Sequence, residues 1–83
     1  MKHLRLYESV QGEIFWYISY TRLPLILLCI SKLPISEKLK DKISNSIPNA
    51  DFTCGVYIRI DRNEFGYYSC EDIKVDNIIM MKV

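Results

Sequence analysis

Residues Phe52-Thr53-Cys54-Gly55-Val56-Tyr57-Ile58-Arg59-Ile60-Asp61 alternate between apolar and polar without interruption. Successive side chains of a strand point to opposite faces, so this run predicts a strand with one dry and one wet face. Such a strand must lie in a sheet whose dry face something else covers.

A chain of 83 residues makes one domain, 1–83, that buries only about 60 to 65% of the surface its unfolded form exposes. Nearly every strong apolar residue is therefore needed for the interior. Leu4, Leu6 and Val10, then Ile14, Trp16, Ile18 and Tyr20, occupy even positions on either side of Gln11-Gly12. This predicts a hairpin with strands near 3–10 and 13–21. A three-residue loop at 11–13 sets Val10 against Ile14 and Leu6 against Ile18, whereas a two-residue loop would put the apolar side chains out of phase. Phe15 and Tyr17 on the odd face suggest that the second strand is covered on both sides.

Leu23 to Ile30 is an apolar run too short for a bilayer, which needs about 20 residues. Extended back to Ile14 it includes Arg22 and Pro24, and Lys32 closes it, so no membrane span is favoured. Pro24 near its start favours a short buried helix, with a buried strand as the alternative. Ile35, Leu39, Ile43 and Ile47 recur every four residues among Lys38, Lys40, Asp41 and Lys42. That spacing predicts an amphipathic helix near 35–47, capped by Ser36, with Glu37 complementing its dipole and Pro48-Asn49 ending it. Arg62 to Gly66 reads as a turn with Gly66 free for a left-handed position, and Tyr67 to Cys70 as the return strand, with Tyr68 and Cys70 inward beside Ile58 and Ile60. Ile73, Val75 and residues 77–83 add an edge strand. The expected fold is α+β: an antiparallel sheet of four or five strands from two hairpins, one or two helices on one face, in the order β-β-α-α-β-β with a fifth strand at the end.

The chemistry is sparser. His3 is the only histidine and stands near a terminus, where a surface role outweighs that of a general base. Cys29, Cys54 and Cys70 are an odd count without a C-x-x-C pair. They read as buried thiols of a protein in the reducing cytoplasm, with a Cys54–Cys70 bridge as the alternative. Asp61, Glu64, Glu71, Asp72 and Asp76 lack the spacing of a calcium loop, and Gly12, Gly55 and Gly66 are isolated, so neither a metal nor a phosphate loop is indicated. The expectation is no enzyme, no catalytic residue and no cofactor.

Residues 1–50 hold seven basic and four acidic side chains and residues 51–83 four and six; the net charge of +1 argues against electrostatically driven nucleic-acid binding. The lysines of the amphipathic helix are interleaved with Glu37 and Asp41, as on an ordinary solvated face. Six tyrosines, three phenylalanines and one tryptophan compete with twelve isoleucines for the interior, so some rings are expected at the surface. Tyr57 and Arg59 on the wet side of the alternating strand, with Arg62 in its turn and Tyr67 nearby, are the candidate partner-binding residues, since Tyr and Arg often anchor interfaces.

These residues suggest a small non-enzymatic module that binds a larger protein by occlusion, with a homodimer through a sheet edge as a further expectation. The isoleucine excess against a single alanine, Ala50, is associated with AT-rich genomes. It points to a phage-encoded inhibitor or modulator of a host protein such as a defence nuclease or polymerase. The alternative is a single-stranded nucleic-acid binder that stacks bases on the same rings.

Overall fold

The computed structural model describes residues 3–9, 12–62, 64–73 and 78–82, the last five as backbone. Val10, Gln11, Asn63, Val75 and Asp76 lie outside this set. Five strands and two helices follow one another as β1 (Leu4–Ser9), β2 (Ile14–Ile18), α1 (Leu23–Ser31), α2 (Glu37–Ser46), β3 (Val56–Asp61), β4 (Glu64–Ser69) and β5 (Ile78–Lys82). One antiparallel sheet has the order β4-β3-β2-β1-β5. The expected α+β architecture of two hairpins and two helices is therefore present, with β5 paired to β1 at the far edge.

In the first hairpin Glu8 faces Ile14, Leu6 faces Trp16 and Leu4 faces Ile18. The expected pairing of Leu6 with Ile18 is displaced by two positions. Three residues do separate Ser9 from Glu13, but the loop begins one residue earlier: Gly12 N–H donates to Ser9 C=O at 3.0 Å and Ser9 N–H to Glu13 C=O at 2.8 Å. Gly12 supplies the left-handed backbone, φ +84°. A slip of two keeps every side chain on its own face, so the apolar set still shares one side.

The helices cover that side. Pro24 opens α1, where its missing N–H costs nothing, and Asp51 receives the Leu23 N–H at 3.0 Å. Ser36 caps α2 by accepting the Leu39 N–H at 3.2 Å, and Ile47 ends it just before Pro48. Leu39, Ile43 and Ile47 join Ile26, Cys29, Ile30 and Leu33 against Ile18, Val56 and Ile58 in one aliphatic core.

Three expectations on the second hairpin are corrected. The alternating run becomes strand only at Val56, because Gly55 turns the backbone at φ +107° and breaks the parity that would place Cys54 inward; Cys54 is exposed. Asp61 pairs with Glu64, leaving a two-residue loop at 62–63 in which Arg62 takes the left-handed conformation, φ 58°. Gly66 is consequently a strand residue opposite Arg59 and not part of the turn. The shorter loop reverses the parity of β4: Tyr67 opposes Ile58 and Phe65 opposes Ile60 on the helix side, while Tyr68 pairs with Tyr57 on the other.

Among the described residues no helix lies over that other face, yet it is closed. Tyr7 and Phe15 are each 6% exposed and Tyr57 8%, packed with Tyr17, Tyr68, Cys70 and Ile73. Tyr17 and Tyr57 stack at 4.5 Å between centroids, and Tyr68 approaches Phe15 at 6.3 Å, tilted. Cys54 and Cys70 are bridged, with Cα atoms 5.8 Å apart, so the free-thiol reading of this pair gives way to its alternative. The bridge holds the turn after β4 beside the rings. Only Cys29 among the cysteines is free, and it lies within the aliphatic core.

Candidate functional site

The four sequence-selected residues do not form one patch. Tyr57 belongs to the closed aromatic face, where burial, and secondarily the neighbouring Tyr17 and Tyr7 hydroxyls, push its pKa upward. Tyr17 is shifted the same way by burial, and its hydroxyl donates to Cys54 C=O at 2.7 Å. Arg59 shares that face but donates through Nη1 to Glu13 Oε2 at 2.8 Å; this bond, more than the nearby Tyr68 hydroxyl, raises the pKa of the guanidinium. Arg62 is exposed in the loop. Tyr67 lies on the opposite side, against the aliphatic core. The wet-face placement of Tyr57 and the proximity of Tyr67 are thus corrected, for two reasons: the open-face side chains are rings wide enough to cover one another, and the loop is shorter than expected.

Where the two hairpin loops come side by side, Gly12, Glu13, Ile14, Arg59, Ile60 and Asp61 line a shallow groove of about 260 Å³. The β2–β3 register, in which Phe15 faces Arg59, continues to set Glu13 across from Asp61. The Arg59 guanidinium is partly committed to offsetting these two carboxylates. The groove offers a folded-in ion pair, not a cation waiting for an anionic ligand.

Residues with catalytic potential are similarly engaged. His3 Nδ1 lies 2.8 Å from Ser19 Oγ, and its ring stacks on Tyr20 at 4.1 Å. These contacts hold the imidazole in place. Burial pushes the Cys29 thiol pKa upward, away from the reactive thiolate. Among the described residues no three metal-ligating side chains converge, and no buried side-chain polar atom lacks a partner.

The conspicuous open chemistry is apolar and lies on α1. Ile26, Cys29 and Ile30 point into the core, whereas Leu25 is 36% and Leu28 48% exposed. They are the large hydrophobic residues left open among those described; no ring is exposed to that degree. Arg22 precedes Leu25 by three positions and Lys32 follows Leu28 by four, so at helical spacing the leucines are bracketed by exposed cations. The sequence holds a signal for this: Leu23 to Ile30 has no polar side, so a helix lying on the surface must leave apolar atoms outside. The expected open residues were rings instead, because an unbroken aliphatic run reads as wholly buried.

No protein-family model matches the chain, and neither a curated protein nor a solved structure does.

Proposed function

We propose that this chain is a small non-enzymatic protein-binding module that acts by occluding part of a larger partner, with the outer side of α1 as its docking surface. The observation that carries this reading is the exposed pair Leu25 and Leu28 on a helix with no polar residue before Ser31. Exposed leucines on so small a chain have a favourable transfer energy in reserve, about 25 cal/mol for each Å² covered. Arg22 and Lys32 at the ends fit a partner whose apolar patch has an acidic rim.

The finer reading, a phage-encoded inhibitor of a host nuclease or polymerase, rests on isoleucine-rich composition alone. A cytoplasmic location belongs to the same proposal and stands against the Cys54–Cys70 bridge, because reducing compartments open most disulfides. A nucleic-acid surface would need open ring faces beside free guanidinium groups; Tyr57 is closed and Arg59 is held by Glu13, and no observation favours that alternative.

The test is capture from the natural host's lysate, treated with nuclease, by wild type and by the Leu25→Ser/Leu28→Ser double variant. A protein retained by wild type after nuclease and lost by the double variant is the expected result. Equal capture by both would contradict an α1 docking surface, and loss on nuclease treatment would support nucleic acid. Both substituted side chains are partly open, so the variant should keep its thermal midpoint within a few degrees.

A further inference from the structure

We propose that β4 adds to β4 of a second copy, making a twofold dimer with one continuous ten-stranded sheet whose axis passes beside Gly66. The proposal concerns the sheet edge and does not rest on the docking role of α1.

Among the described residues β4 is an edge strand, hydrogen-bonded to β3 alone in the sheet order. Which of its backbone groups are open follows from a single bond. Cys70 N–H donates to Gly55 C=O at 3.2 Å, and this pair continues the β3–β4 register, in which Val56 faces Ser69. Hydrogen-bonded and non-hydrogen-bonded pairs alternate in an antiparallel ladder. Tyr68 and Gly66 therefore turn their N–H and C=O toward β3, and Phe65 and Tyr67 turn theirs outward. These are strong donors and acceptors that a sheet edge offers to any strand of matching geometry.

Natural edges discourage such addition with lysine, proline, bulges or very short strands. β4, Glu-Phe-Gly-Tyr-Tyr-Ser, has six residues and none of these devices. The opposite edge differs: β5 carries a register shift against β1 between Tyr7 and Glu8 and ends on Lys82.

The sequence of β4 suits its own copy. With Gly66 opposite Gly66 of the second chain, Phe65 meets Tyr67 twice, giving two cross-strand aromatic pairs on the helix side and four backbone hydrogen bonds. Glu64 meets Tyr68, so no like charges are opposed. Gly66 lies at a non-hydrogen-bonded position, where the chains approach most closely, about 4.5 Å between Cα atoms, and where its missing side chain leaves room. Opposed residues share parity in this register, so both helix pairs lie on the same side of the joined sheet. A net charge of +1 adds little long-range repulsion between copies. The contact is smaller than a standard interface, and the dimer is accordingly weak, with Kd of order micromolar.

Sedimentation of the wild-type chain from micromolar to millimolar concentration should show the mass rising from 9.8 kDa toward twice that value. Amide exchange of the same protein should show Phe65 and Tyr67 gaining protection with concentration, while Gly66 and Tyr68, already bonded to β3, do not change. The atoms nearest a Cβ at Gly66 belong to the far end of the Tyr68 side chain, its hydroxyl at 3.1 Å, which can swing aside. Gly66→Lys should thus fold and stay monomeric, because two ammonium groups oppose each other at the axis, and Gly66→Cys should cross-link with its copy under oxidation. A wild type monomeric throughout, concentration-independent exchange at Phe65 and Tyr67, or a dimer that survives Gly66→Lys would each overturn the proposal.

Discussion

On the helix side of the sheet, Ile18, Val56 and Ile58 are fully enclosed beneath two helices. On the reverse side Tyr7, Phe15 and Tyr57 reach nearly the same enclosure, with no helix above them among the described residues. The first face is sealed by another layer of structure. Packed on the second are Tyr17, Tyr68, Cys70 and Ile73, the last two from the chain that leaves β4 at one edge of the sheet and returns as β5 at the other. The contrast is between aliphatic side chains packed layer on layer and wide rings packed against one another on one surface of the sheet. It also moves the open apolar surface away from the sheet and onto α1.

The two faces should differ most under truncation. Ile58→Ala opens a cavity between close-packed layers and should cost about 4 kcal/mol by chemical denaturation, whereas Tyr57→Ala should cost about 2 kcal/mol, because adjacent rings can slide into the space and water can enter. Equal losses would make the aromatic face a second rigid core. Reduction of Cys54–Cys70 frees a loop spanning 16 residues of sequence separation and should lower stability by about 3 kcal/mol. Near-ultraviolet circular dichroism should change on reduction while far-ultraviolet helix signal persists, since the bridge borders the rings and not the helices.

A smaller effect should appear in alkali. Tyr17 and Tyr57 have raised pKa values in the folded state. The unfolded chain therefore loses these protons first, near pH 10, and stability should fall as pH rises through and beyond that point. Thermal melts across this range, with Tyr57→Phe flattening the decline, check the sign. Least of all should be the Arg59–Glu13 pair, whose side chains are 41% and 34% exposed. A double-mutant cycle should give a coupling below about 1 kcal/mol.

Much of the helix side is legible in the order of residues alone. The four-residue spacing from Ile35 to Ile47 and the Ser36 cap define α2, and Pro24 marks the start of α1, because these patterns act within one turn of chain. The faces of the first hairpin are legible although its pairing is not, since a slip of two preserves sidedness. The second hairpin is harder to read because Gly66 draws the expected turn toward itself, while Arg62 takes the left-handed position that no glycine announces. One residue of loop parity then exchanges Tyr67 with Tyr68. Gly55 hides another break: a Cβ there would stand 2.5 Å from Ile18 C=O, a close approach that arises only when β2 and β3 lie side by side. Alternation counts Tyr57 and Arg59 as wet because pattern rules grade a tyrosine by its hydroxyl and not by its ring.

The most direct test of two closed faces and an open helix is hydroxyl-radical footprinting of the oxidised chain, normalised to the intrinsic reactivity of each residue type and read by mass spectrometry. Tyr7, Phe15 and Tyr57 should be strongly protected, and Leu25 and Leu28 should be modified far more readily than the enclosed Leu33 and Leu39. Modification of Tyr57 at the unfolded rate, or protection of both leucines, would contradict this account.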